Sequence, residues 1–408
     1  MTKIRTKIAS SIAAFALMLN LAAPSVALAG VSCTISGNGA DTENTCDFES
    51  LRKVEVDQDN EMDVDNDVEV SANTGDNEAE DNVGGDVNIE TGNVDADVTV
   101  TTTGNTNAAS VNGAGSSDYD LLIQNNAEDS DNDIELDVID EVDIDQDNDA
   151  DVDNEVDVWA NTGKNEAEDN IGGSVSIVTG DVEVNDGVVI NTAVNANSAV
   201  VGTGGVLGDL SIKILENGAY TDNDVDLALA SEIDIEQDND AWIDNDVEVG
   251  ANTGDNEAED NVGDEVSIET GDVDADVTVD TMANFNSADV EGGLFGDVEL
   301  KIGQNVRDSD NDIEFDLIDE LDVDQDNDLD VDNEDVDLWL DTGDNEAEDN
   351  VGGEGSDPSI TTGDVTSDVH VSTSGNANVF GDDLDLELDF DLSELVDLLS
   401  ALSSLLGL

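Results

Sequence analysis

The chain has 408 residues, with 105 acidic against nine basic side chains, one histidine and a formal net charge of −96. Charge of that sign and size repels nucleic acid and anionic lipid surfaces, which excludes both as partners, and it draws divalent cations instead. Three per cent aromatic residues at this charge would argue for disorder, yet 38% of the chain is apolar and the apolar positions recur with a regular period.

Lys3, Arg5 and Lys7 precede a largely apolar run from Ile8 to Ala23, and Ala27-Leu28-Ala29 forms a small-x-small cleavage site. Residues 1–29 therefore read as a signal peptide, and the protein as secreted, extracellular or held at the cell surface. Ser10, Ser11 and Asn20 interrupt the run, which suits a cleaved leader better than a membrane span. Residues 30–53 carry the only two cysteines. An even pair this close in an exported chain predicts one disulfide, Cys33 to Cys46, in an N-terminal cap.

From Val54 the chain alternates strictly. Val54, Val56, Gln58, Asn60, Met62, Val64 and Asn66 share one face, and Glu55, Asp57, Asp59, Glu61, Asp63 and Asp65 the other. Period two means extended β structure. One straight strand over 54–74 would run about 65 Å, so the chain is expected to bend at tight corners while keeping its two faces.

The decapeptide N-T-G-D-N-E-A-E-D-N at Asn73–Asn82 returns nearly unchanged at Asn161–Asn170, Asn252–Asn261 and Asp341–Asn350. The Q-D-N triplets ahead of it begin at Gln58, Gln146, Gln237 and Gln325, giving periods of 88, 91 and 88 residues. The predicted fold is all-β, a β-solenoid over 54–381 with repeats near 54–141, 142–232, 233–320 and 321–381. An Asn-x-Ala theme at Asn77, Asn148, Asn165, Asn197 and Asn286 divides each repeat further, into about four coils of about 22 residues. Four immunoglobulin-like sandwich domains are the competing architecture; scarce aromatics and small inward residues speak against them. Over 382–408, Leu384 to Leu392 read as a last strand, and Leu395, Leu398, Leu399, Leu402, Leu405 and Leu406 as the stripe of an amphipathic helix. That helix would cap the solenoid, with docking or self-association as its other reading.

The rhythm Ile144-Asp-Gln146-Asp-Asn148-Asp-Ala150 resembles the repeats of curli-type fibre subunits and other bacterial β-solenoid surface proteins. The resemblance implies coils of roughly 22 residues with inward Gln and Asn ladders. This chain places aspartates where those repeats have glycine, and its charge opposes self-stacking without cations.

The densest acidic arrays are Asp145, Asp147, Asp149, Asp151 and Asp153, and again Asp324, Asp326, Asp328, Asp330 and Asp332. Alternate residues of one strand face lie about 6.6–7 Å apart, and like residues of stacked coils about 4.8 Å apart. Calcium, with six to eight loosely arranged oxygen ligands, is the cation expected to bridge them. Trp159, Trp242 and Trp339 fall on the outward phase, where indole rings could engage a glycan or a surface protein. One histidine and no reactive thiol leave no acid–base–nucleophile set, so a non-enzymatic role is expected. The functional readings are a structural or adhesive surface protein stabilised by divalent cations, a glycan- or protein-binding module, and an acidic matrix that sequesters ions or mineral.

Overall fold

The computed structural model describes residues 4–13, 31–112, 117–202, 207–291, 297–353 and 357–381. The cleavage site and the 382–408 strand and helix lie outside them. All regular structure in the described residues is strand, and every pairing is parallel. The chain is a parallel β-solenoid.

Strand β1 is Ile4–Ala13. The first rung comprises β2 (Val31–Ser36), β3 (Glu43–Asn73), β4 (Glu78–Glu80), β5 (Val87–Glu90) and β6 (Val94–Asn112). The second comprises β7 (Ser117–Gln124), β8 (Asp131–Asn161), β9 (Glu166–Glu168), β10 (Val175–Val178) and β11 (Val182–Gly202). The third comprises β12 (Leu207–Leu215), β13 (Asp222–Asn252), β14 (Glu257–Glu259), β15 (Val266–Glu269) and β16 (Val273–Glu291). The fourth comprises β17 (Val298–Gly303), β18 (Asp310–Asn311), β19 (Glu314–Asp332), β20 (Val336–Asp341), β21 (Ser359–Thr361) and β22 (Val365–Phe380).

Each strand pairs with its equivalent one full repeat away: Gln58 lies opposite Gln146, Gln146 opposite Gln237, and Gln237 opposite Gln325. One repeat is thus one rung. This corrects the expected division into four coils of about 22 residues, because the Asn-x-Ala segments of one repeat, with Asn148 on β8, Ala167 on β9 and Asn197 on β11, lie on different strands of the same rung. It also corrects the expected bends. β3, β8 and β13 each run 31 residues without a corner, about 100 Å at 3.3 Å per residue. In-register repetition lines sheets of this width with side-chain ladders.

Within a rung the long strand faces two shorter ones. Its first part packs on β2 and its equivalents, joining Leu121, Ile123, Ile134 and Leu136 to Cys33 and Ile35. The Cys33–Cys46 disulfide spans this layer from β2 to β3, with Cα atoms 6.6 Å apart. The second part packs on the returning β6, β11, β16 and β22, through clusters such as Val70, Val98, Val158, Val188 and Val249.

Amide bands separate the apolar clusters. Asn60 donates to Asn148, Asn148 to Asn239 and Asn239 to Asn327 at 2.9, 2.9 and 2.8 Å. Asn66, Asn154, Asn245 and Asn333 form a second ladder at 2.7–2.8 Å. The glutamines run the other way, Gln146 donating to Gln58 and Gln237 to Gln146, both at 2.7 Å. Side-chain amides also bridge the two sheets, Asn60 to Asn107 and Asn148 to Asn197, each at 2.6 Å. The buried amides of these ladders thus each meet an equal one rung away, which offsets the penalty for burying them.

The repeated decapeptide is the corner that joins the long strand to β4. Asn73 Oδ1 accepts from the Gly75 N–H at 2.8 Å, an Asx turn repeated at Asn161, Asn252 and Asp341. Thr74 Oγ1 donates across the end to the Gly92 carbonyl at 2.8 Å. Asp76, Lys164, Asp255 and Asp344 hold positive φ. A side chain at Gly75 would collide with the Gly163 carbonyl of the next rung. Asn77, Asn165, Asn256 and Asn345 then stack at 2.8 Å per step, and Ala79, Ala167 and Ala258 fill the end core. Asn73, Thr74, Gly75, Asp76, Asn77 and Ala79 each have a geometric duty, which accounts for the near-identity of this part of the repeat in all four rungs.

Candidate functional site

Parity places all ten predicted metal-binding aspartates on the outer face of the long strands, and all ten are exposed. Stacking makes them columns: Asp57, Asp145, Glu236 and Asp324 in one, Asp59, Asp147, Asp238 and Asp326 in the next. Glu61, Asp149, Asp240 and Asp328 follow, then Asp63, Asp151, Trp242 and Asp330, then Asp65, Asp153, Asp244 and Asp332. Two charges 4.8 Å apart repel by just under about 1 kcal/mol in bulk water and by more beside a protein surface. Partial burial, then the neighbours Asp57, Asp238 and Asp63, push the carboxyls of Asp145, Asp147 and Asp151 above their ordinary range.

The tightest carboxylate groupings lie elsewhere, at the corner. Glu80, Glu166 and Glu168 bring ligand oxygens within 4.8 Å of one another, and so do Glu168, Glu257 and Glu259, and Glu259, Glu346 and Glu348. These are the outward glutamates of the E-A-E triplets, facing each other along the stack. A hydrogen bond with Glu166 pushes Glu168 up to about 7, and one with Glu78 raises Glu80. Glu348 is raised by the charge of Glu346 and a hydrogen bond with it. Such a column has two ways to relieve itself, by holding protons or by holding cations. Sequence reasoning passed over it because the aspartate runs were denser; the signal available was the invariance of E-A-E in every copy.

Ser71, Trp159, Gly250 and Trp339 form one outer column at the corner end of the long strands. Gly250 leaves room for the indole of Trp159, whose ring atoms occupy the place a side chain there would need. Trp159 and Trp339 share a groove of about 500 Å³ with Asp76, Lys164, Asp255 and Asp341, and are 44% and 62% exposed. Asp255, Asp341 and Asp344 converge there within 4.8 Å. Trp242 is 43% exposed but stands alone among aspartates, about 26 Å farther along β13. The structure thus brings two of the three tryptophans together and leaves the third apart.

His370 lies on the fourth rung, 3.9 Å from Asp280 and well exposed. Among the described residues no helix is long and apolar enough to cross a membrane. No family model, curated protein or solved structure matches this chain.

Proposed function

We propose that this is a secreted, non-enzymatic structural or adhesive repeat protein of the cell surface, stabilised by divalent cations, calcium foremost. The observation that carries the reading is the in-register stacking of like carboxylates on the outer face and at the corner. Each rung added brings further repulsion, and a hard cation with oxygen ligands relieves it without demanding one geometry. The disulfide fits an oxidising, extracellular setting. Circular dichroism during calcium titration in low-salt buffer tests the reading. The thermal midpoint should rise with calcium and fall with EDTA; a midpoint indifferent to both would remove the cation from the proposal.

A second reading rests on the groove of Trp159 and Trp339, which offers indole faces beside carboxylates to a glycan or a partner protein. Binding on a glycan array that disappears in Trp159→Ala and Trp339→Ala, with unchanged circular dichroism, is its expected signature. Retained binding in both variants would exclude the groove.

A further inference from the structure

The two ends of the stack are unlike in charge yet alike in shape. On the fourth rung, the inward Val298, Leu300 and Ile302 of β17 are 45%, 44% and 48% exposed, whereas Leu210, Ile212 and Ile214 one rung below are at most 1% exposed. Phe315, Gln325 and Asn327 sit above the columns that begin with Phe48, Gln58 and Asn60. The fourth rung therefore offers one more step of a pattern that the first rung can supply.

We propose that the fourth rung of one chain pairs, parallel and in register, with the first rung of a second copy. Charge selects this partner. Arg52 and Lys53 head two columns that are otherwise acidic or neutral: Arg52, Asp140, Ser231 and Asp319, and Lys53, Glu141, Glu232 and Glu320. Within the chain, Arg52 Nη1 lies 3.1 Å from both carboxylate oxygens of Asp140, and Lys53 Nζ lies 2.5 Å from Glu141. A second copy beneath would bring its Glu320 to the other side of Lys53. The other charged columns of the long strands are acidic, as they are inside the chain; the junction thus resembles the first joint, where Lys53 faces Glu141, rather than the second and third, where Glu141, Glu232 and Glu320 face one another.

The first rung has also shown that its edge takes another strand. β1 pairs with β6 in parallel register, Ile4 opposite Val94, in the place that Val365 of an incoming β22 would occupy. β1 belongs to the segment expected to be cut off on export, and its departure frees that edge. The contact is head-to-tail and does not close, so it builds filaments that grow by about 19 Å per copy, four rungs of about 4.8 Å.

The test uses the exported chain, its N-terminus established by sequencing, in sedimentation velocity at rising concentration and about 1 M NaCl, where the Debye length is near 3 Å. Concentration-dependent end-to-end oligomers are expected. Glu320→Lys should weaken association about threefold by facing Lys53 with a like charge, and Lys53→Glu should do the same by facing Glu320. Mixing the two variants should restore assembly, because each then presents the opposite charge to the other. Glu320 is exposed on the last rung, and unchanged circular dichroism verifies its fold. A chain that stays monomeric throughout, or oligomers indifferent to both reversals and to mixing, would overturn the proposal.

Discussion

Asp147 and Asn148 are neighbours in the chain, nearly the same in shape, and repeated at the same spacing in the stack. Asn148 points inward, is fully buried, and joins its counterparts Asn60 and Asn239 at 2.9 Å. Asp147 points outward between Asp59 and Asp238, and its carboxyl is raised by partial burial and by those two charges. Identical stacking turns the amide into a donor–acceptor chain and the carboxylate into a column of repulsion. An amide carries both halves of a hydrogen bond, while an ionised carboxylate carries only the acceptor. Repetition is therefore stabilising inside and destabilising outside, from one and the same register.

Reversing the inner member should have the largest effect. Asn148→Asp places a charge where Asn197 and Asn239 present oxygens, and should cost about 3 kcal/mol or more in chemical denaturation. A loss below about 1 kcal/mol would mean that the ladder is incidental.

Acidity should act next, and in the opposite sense to ordinary acid denaturation. Glu168 rises from 4.5 to about 7, and Glu80, Glu259 and Glu348 are raised as well. The folded state then holds more protons than the unfolded one, so stability present below pH 4.5 is lost as pH climbs through about 7. In EDTA the thermal midpoint should be higher near pH 5 than near pH 8, and calcium at the higher pH should narrow the gap. A midpoint that rises with pH in EDTA would contradict the corner column.

The outer member of the pair predicts a smaller gain. Asp147→Asn removes one charge between two others and should stabilise by about 0.5–1 kcal/mol without calcium, and by less with it. Smallest of all is Trp339→Ala, whose exposed ring should change stability by no more than about 0.5 kcal/mol while removing any glycan or partner binding.

Much of this was legible in the residues. Alternation from Val54 onward assigned the faces, so inward Gln58, Asn60 and Asn66, outward aspartates and outward tryptophans stand where parity puts them. Alternation cannot say which strand lies next door. The Asn-x-Ala theme suggested short coils, because a two-residue period looks the same at every length. The partner was encoded in the long-range identity at 88 and 91 residues, which is the register itself. The decapeptide marked the repeat but not the corner; its Asx turns and left-handed Asp76 show turn chemistry that Asn-Thr-Gly could have announced. The glutamates of the corner converge where the aspartate runs of the long strands do not, in keeping with their longer side chains reaching across rungs.

Giving a whole repeat to each rung makes this chain a plank rather than a rod. Its long strands span about 100 Å, while about 90 further residues would raise it by only about 4.8 Å. Gene duplication in such a protein thickens the board and scarcely extends it. What it displays to its surroundings is length along the strands, a long acidic face, and a single chain rises little along the stack.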